Sequence, residues 1–240
     1  MVNRLREFGP DALQNLVPEP SGLPPSVVRE LVAAGRLTTY SPGEVLVRIG
    51  ERCDPGAVVA GLLSQTIRSE DGRRATLRYV RKGESFAVES VFRPMSHMVR
   101  AVKESRVAHY DRLVIEQQMG KHPSLALKIA ERLAVCTKEM DEAAASYAFM
   151  TVGQRVVVHL AEMAERAVEG ERTFVARLSQ QELADAVGSV REVVSRVLRE
   201  LKEQGIIETS RSGIVISDET SLLRFGREAF HARASDPARN

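Results

Sequence analysis

The rhythm of hydrophobic and polar positions changes three times along the chain. After a Pro-rich opening with little periodicity, Val27, Val28, Leu31 and Val32 fall at helical spacing, with Ser26 placed to cap the first turn. From Leu37 to about Asp111, short apolar runs alternate with turn signals: Ser41-Pro42-Gly43, Asp54-Pro55-Gly56, Glu70-Asp71-Gly72 and Lys82-Gly83-Glu84. Short strands at such regular spacing predict a sandwich or barrel. Asp71-Gly72, between the segments 65–69 and 75–80, predicts a hairpin, because Asp-Gly supplies the positive φ of a tight turn.

Helical spacing dominates from Ser124. Ala126, Ile129, Leu133, Cys136, Met140, Ala143 and Tyr147 recur at alternating steps of three and four. This narrow seam favours pairing with a second copy of the helix; the alternative is packing against its own chain. Gly153 interrupts the pattern as a candidate hinge, and a second helix is expected over 152–169. A strand over 172–176 follows. Ser179-Gln180-Gln181-Glu182 reads as a capping box opening a short helix to Val187, and Gly188 as a turn. Ser189-Val190-Arg191-Glu192 reads as a second capping box, opening a helix to about Gln204. Two runs at 206–209 and 214–217 form a hairpin across Ser210-Arg211-Ser212-Gly213. Helix, tight turn, helix and hairpin is the order of a winged helix-turn-helix.

That order changes how the charge is read. The 240 residues suit one or two domains, and 43% apolar with 28% charged residues describes a chain that buries a core. Lys and Arg number 34 against 32 Asp and Glu, a net charge of +2, so any nucleic-acid face comes from local clustering. Residues 189–202 hold four basic and two acidic side chains, whereas 151–240 hold 13 and 14. On the second helix Val190, Val193, Val194, Val197 and Leu201 supply a buried side. Arg191, Glu192, Ser195, Arg196 and Arg199 are left for the outer side. Arg forks onto guanine O6 and N7, and Glu accepts from cytosine N4. The bland alternative is a solvent face of Glu/Arg pairs.

Several classes drop out. Trp is absent and aromatics are 5%, which argues against a base-stacking platform. Cys53 and Cys136 make neither a disulfide framework nor a metal pair. No run of 18 apolar residues suggests a membrane span, and the opening residues lack a secretory apolar core, so a cytoplasmic protein is expected. His97, His109, His122, His159 and His231 are scattered, and no P-loop, HExxH or nucleophile elbow is present. An enzyme and a metal site are not expected.

From about residue 37 to 218 the chain resembles the CRP/FNR family of bacterial transcription regulators. The resemblance is carried by Gly83-Glu84-Ser85-Phe86-Ala87-Val88-Glu89, Val99-Arg100-Ala101, Ile129-Ala130-Glu131-Arg132-Leu133 and, most specifically, Leu178-Ser179-Gln180-Gln181-Glu182-Leu183-Ala184 with Gly188-Ser189-Val190-Arg191-Glu192-Val193-Val194-Ser195-Arg196-Val197-Leu198. It implies an α+β fold: an N-terminal extension (1–25), a cyclic-nucleotide-binding-type β-roll (26–123), a dimerisation helix (124–150) and a C-terminal winged helix-turn-helix (151–240). It implies a homodimer on a palindromic TGTGA-like operator in double-stranded DNA, with RNA polymerase as a further partner of an activator. Arg191, Glu192, Ser195 and Arg196 are then DNA-reading residues, and Ser179, Gln180, Arg211 and Ser212 match phosphate-contacting positions.

The sensor half departs from that pattern. Glu89 matches the glutamate that holds the ribose of cyclic AMP, but Val88 stands where a glycine is usual. Counting back from Val99-Arg100-Ala101, Ser96 falls on the serine of the phosphate clamp and Met95 on its arginine. A buried cyclic phosphate needs a cation, so cyclic AMP is a doubtful effector unless Arg93 or Arg100 replaces the clamp. Cys136 and Thr137 fall on the pair that meets the purine. Cys136 on the helix seam also suggests a redox or nitrosative sensor, against a bland reading as a packed apolar residue. A haem would have only His97 with Met95, Met98 or Cys53.

Overall fold

The structure, a computed structural model, describes residues 3–4, 23–166, 174–210, 213–218 and 220–226. The chain divides into two units, Met1–Ile67 with Leu77–Asp141 and Arg68–Thr76 with Glu142–Asn240, each described by itself.

The first unit runs β1 (Asn3–Arg4), α1 (Pro25–Ala34), β2 (Arg36–Tyr40), β3 (Val45–Val47), β4 (Gly56–Ala60), β5 (Leu62–Arg68), β6 (Arg74–Arg81), β7 (Ser85–Phe86), a 3-10 helix Val88–Val91, β8 (Met98–Ala101), β9 (Ser105–His109), α2 (Arg112–Lys121) and the first half of α3 (Pro123–Phe149). The strands form two sheets, in the orders β1-β2-β9-β4-β7 and β3-β8-β5-β6. Val58, Phe86 and Val107 from the first and Val47, Leu63, Val80 and Val99 from the second share one core, so the sheets face each other. A second core joins Leu37, Ala57 and Ala108 of the first sheet to Val27 and Leu31 of α1, Ile115 of α2 and Leu125 and Ile129 of α3. Gly61, between β4 and β5, has φ +101°, and a Cβ there would lie 2.3 Å from Ser105 Oγ, so only glycine fits.

Two sequence expectations are corrected here. Ser26 is not the cap of α1: Pro24 takes the cap position and Pro25 the first helical one, where a missing N–H costs nothing. The stripe Ile129–Leu133–Cys136–Met140 is not free for a partner along its whole length. Ile129 is buried in the unit's own core, Leu133 packs on it, and Leu133, Cys136 and Met140 line a cavity of the same unit. Sequence spacing marks an apolar stripe but not what covers it.

The second unit contains the end of α3, α4 (Val152–Met163), β10 (Ala164–Arg166), β11 (Phe174–Ala176), α5 (Gln180–Val187), α6 (Arg191–Glu203), β12 (Ile207–Ser210) and β13 (Gly213–Ile216). The strands pair antiparallel in the order β10-β11-β13-β12, and residues 220–226 are helical. Val156 and Leu160 of α4, Leu183 and Val187 of α5, Val194, Leu198 and Leu201 of α6, and Ile207, Ile214 and Ile216 of the hairpin make one core. Gly153 lies inside α4 rather than at the break. The break belongs to Thr151 and Gln154, whose side chains and backbones exchange hydrogen bonds in a capping box. Helix α4 ends at Met163 because residues 164–166 pair with β11, earlier than spacing alone indicated.

Candidate nucleic-acid interface and effector cavity

Helix α6 is sharply two-sided. Val194, Leu198 and Leu201 are buried, while Arg191, Glu192, Arg196 and Arg199 are exposed and Ser195 is half-buried. At about 100° per residue, Arg191, Ser195, Arg199, Glu192 and Arg196 span an arc of roughly 140°, its centre about 120° from that of the buried residues. The outer side chains read from the sequence are thus at the surface, but Val190, assigned there to the buried side, is itself exposed. The start of α6 also differs: the cap is Val190, with no side-chain bond, so the second capping box is absent. The Ser189 N–H instead bonds to Ala184 O, closing α5 around Gly188, which has φ +66°. The first capping box is present. Ser179 Oγ accepts from the Glu182 N–H at 3.1 Å and Glu182 Oε2 accepts from the Ser179 N–H at 2.7 Å. Ser179 and Gln180 thus sit at the start of α5, where backbone N–H groups lack helical partners and suit an anion. Arg211 and Ser212 lie outside the described residues.

The first unit holds a cavity of about 290 Å³ between the segment after β7 and α3. Glu89, Ser96, Cys136 and Thr137, the four residues singled out from the sequence, all line it, joined by Arg93, His97 and Gln65. The Thr137 hydroxyl donates to Leu133 O at 3.1 Å, which leaves it an acceptor toward the cavity. Burial pushes the Cys136 thiol above its ordinary range, Arg132 opposing this and Glu139 adding to it. Met95 is elsewhere: it is 2% exposed and packs with Val47, Leu63 and Val99 between the sheets. Cys53 is not on the cavity wall either, and burial raises its thiol to about 11, so the haem partners weighed from the sequence do not converge with His97. Arg100 is likewise off the wall.

Two features escaped the sequence. One is His97, considered only as a haem ligand. Its imidazole is 7% exposed, with Nε2 lying 3.4 Å from Glu89 Oε1 but without hydrogen-bond geometry to it. The other is a polar cluster at the cavity's edge. Glu139 Oε2 lies 2.5 Å from Arg78 Nη1 and 3.4 Å from Arg132 Nη2, Arg132 Nε donates to Ser85 Oγ at 2.6 Å, and Arg78 Nε donates to Gln65 Oε1 at 3.1 Å. The seven-residue step from Arg132 to Glu139 was the available signal, since it places both on one face of a helix.

Comparison with known proteins agrees with both halves. Residues 37–122 match the cyclic nucleotide-binding domain model and residues 154–225 the Crp-like helix-turn-helix domain model. The chain is 26% identical over 215 residues to the CRP-like cAMP-activated global transcriptional regulator of Mycobacterium tuberculosis, covering 86% of this chain and 95% of that protein. It is 26% identical over 200 residues to the cAMP-activated global transcriptional regulator Vfr of Pseudomonas aeruginosa, covering 78% and 92%. A crystal structure of a CRP/FNR-family regulator from Eubacterium rectale superposes with TM-score 0.75 at 20% identity, covering 85% and 95%.

The chain belongs to the CRP/FNR family.

It is a transcription regulator with a cyclic-nucleotide-binding-type domain and a DNA-binding helix-turn-helix domain. Among the described residues no helix is long and apolar enough to cross a membrane. Within this CRP/FNR member one residue beside the cavity segment has an unusual backbone. Ala87, not Val88, takes the left-handed conformation that glycine favours, with φ +57° and ψ +26°. Val88, which follows it, is wholly buried. Glu89, one residue later, supplies the cavity's carboxylate and faces His97.

Proposed function

We propose that this regulator acts as a homodimer that reads a palindromic TGTGA-like operator through α6, and that its cavity does not hold cyclic AMP by the usual clamp. The observation that carries the DNA reading is the exposed arc Arg191, Glu192, Ser195 and Arg196 on a helix whose other side is core. Ser179 and Gln180 at the start of α5 supply phosphate contacts that set its register, with Arg211 and Ser212 proposed for the hairpin tip. A second copy is proposed on the outer side of α3. There Leu127, Ala130 and Ala134 are exposed at steps of three and four, Leu127 by 62%.

The relatives from Mycobacterium tuberculosis and Pseudomonas aeruginosa are named for activation by cAMP. Against carrying that over stand Met95, whose side chain is in the core, and Glu89, whose carboxylate already faces His97. The effector-binding residues proposed are Glu89, Ser96, Cys136 and Thr137.

A mobility-shift titration with a duplex bearing two TGTGA half-sites about 10 bp apart, centre to centre, tests the reading. Arg191→Ala should weaken binding by about 1–3 kcal/mol and relax one base position. Unchanged affinity and base preference would remove α6 from the groove. Ala134→Arg should yield a monomer by light scattering with little operator affinity; a dimer of native affinity would move the contact away from this face.

A further inference from the structure

Away from the cavity, a junction in the second unit gathers several segments around one side chain. Tyr147, near the end of α3, places its hydroxyl 2.8 Å from Ala186 O on α5 and 3.0 Å from Thr76 O on β6, so one phenol hydrogen is shared between carbonyls of two distant segments. Burial pushes the phenol up to about 12, with Arg155 opposing, so the group stays a donor near neutral pH. Arg155 of α4 lies over the ring, 5.1 Å from its centroid, and donates through Nε to Val187 O at 2.9 Å and through Nη1 to Met150 O at 2.8 Å. It thereby occupies carbonyls at the ends of α5 and α3. The ring also abuts the α5–α6 turn: a Cβ on Gly188 would lie 3.1 Å from Tyr147 Cε1 and 3.4 Å from Ala75 Cβ. Arg74 Nη1 and Asp185 Oδ2 stand 4.0 Å apart, but their side chains are 41% and 39% exposed, so solvent screens that pair. The directional tie between residues 74–76 and the end of α5 is the Tyr147 hydroxyl.

We propose that Tyr147 is a positioning residue for operator spacing: its hydroxyl pins the end of the β5–β6 hairpin to α5 and so restricts the direction in which α6 is presented. The chain enters α4 through Thr151, which leaves the helical region at φ −69° and ψ +163°. Held at that joint alone, α5 and α6 are free to swing about one backbone position. The hairpin supplies a second point of attachment, because β6 runs on from Thr76 to Arg81. Two points restrict a direction that one leaves open. The proposal rests on the palindromic reading above. A dimer that holds both copies of α6 in one direction accepts one separation of half-sites. A dimer whose copies swing accepts several, and binds the best of them more weakly, because the competent arrangement is a smaller fraction of its population. Tyr147 acts through α5 and α6, not on a base.

The test compares the full wild-type chain with Tyr147→Phe, which keeps the ring against Gly188 and Arg155 and deletes only the hydroxyl. Both are titrated by mobility shift with three duplexes: two TGTGA half-sites about 10 bp apart centre to centre, the same pair with one base pair inserted between them, and a single half-site. One added base pair turns the second half-site by about 35° and carries it about 3.4 Å further. A net hydrogen bond corresponds to a factor of about 2–12 in an equilibrium, and each copy in the dimer has one. Wild type should discriminate between the two spacings by at least about tenfold. In Tyr147→Phe that discrimination should fall at least about threefold, through weaker binding of the preferred spacing, while affinity for the single half-site stays within about twofold. Discrimination that is unchanged or greater in Tyr147→Phe, an equal loss of affinity on the single half-site, or a wild type indifferent to spacing would each overturn the proposal and leave the palindromic reading in place. A wild type that binds two half-sites no better than one would remove the palindromic reading, and the proposal with it.

Discussion

Glu139→Gln keeps the side chain's shape and removes the charge on which two guanidiniums converge. Arg78 and Arg132 are 11% and 9% exposed at their side chains, so neither is neutralised by water. Stripping one partner from a buried ion pair costs about 3–5 kcal/mol, because a charge is left desolvated and uncompensated. Three things reduce that here, the first being the Glu84 carboxylate 4.0 Å from Arg78 Nη2. Glu139 is one-quarter exposed, and the arginines keep neutral acceptors in Gln65 Oε1, Ser85 Oγ and the Ser85 carbonyl. The loss is therefore placed at about 2–3 kcal/mol. Urea unfolding followed by circular dichroism, at fixed protomer concentration, reads it directly. The same substitution is then made in an Arg78→Met/Arg132→Met background. With no guanidinium left to neutralise, it should cost less than about 0.5 kcal/mol, so the coupling is about 2 kcal/mol. An equal cost in both backgrounds would show that Glu139 acts through packing and that the ion cluster does not hold α3 to β6.

Other outcomes follow from the geometry. Leu198→Ala, wholly within the α4–α5–α6 core, should lower stability by about 2–5 kcal/mol in the same urea assay. Gly188→Ala places a Cβ 3.1 Å from the Tyr147 ring at φ +66°, and should cost about 1–2 kcal/mol; a neutral result would mean the α5–α6 turn adopts another backbone. Burial, with Arg36 for one ring and Arg155 for the other, lowers the His109 and His159 imidazoles to about 4. Below about pH 6.5 the unfolded chain then binds protons that the folded one refuses, so stability is full above that pH and drains as pH falls toward 4. The stability gap between wild type and His109→Gln should shrink across that window, and a constant gap would exclude the assignment. Cys136 faces its own cavity with a thiol disfavoured as thiolate, so diamide should change operator affinity equally in wild type and Cys136→Ser.

Local chemistry reached the DNA-reading unit almost intact. The Ser179–Glu182 capping box, the turn at Gly188, the two-sided spacing of α6 and the paired strands β12 and β13 depend on neighbours a few residues apart, and such neighbours are legible in order along the chain. The second capping box is absent because α6 begins one residue later than its spacing requires, with Val190 rather than Ser189 in the cap position. The sensor unit yielded its strands and its wall residues Glu89, Ser96, Cys136 and Thr137, but not how they are occupied. That Met95 turns inward while Arg93 lines the cavity, that His97 meets Glu89 across a loop, and that Arg78 meets Glu139 from a strand 61 positions away are pairings of distant segments. The α3 stripe shows the limit most plainly. Its period marks one apolar side of a helix, but the decision that this side covers the chain's own roll, leaving Leu127, Ala130 and Ala134 outward, is made by the packing of α1, α2 and the sheet against Leu125 and Ile129. Periodicity encodes that a face must be buried; only the assembled core specifies against what.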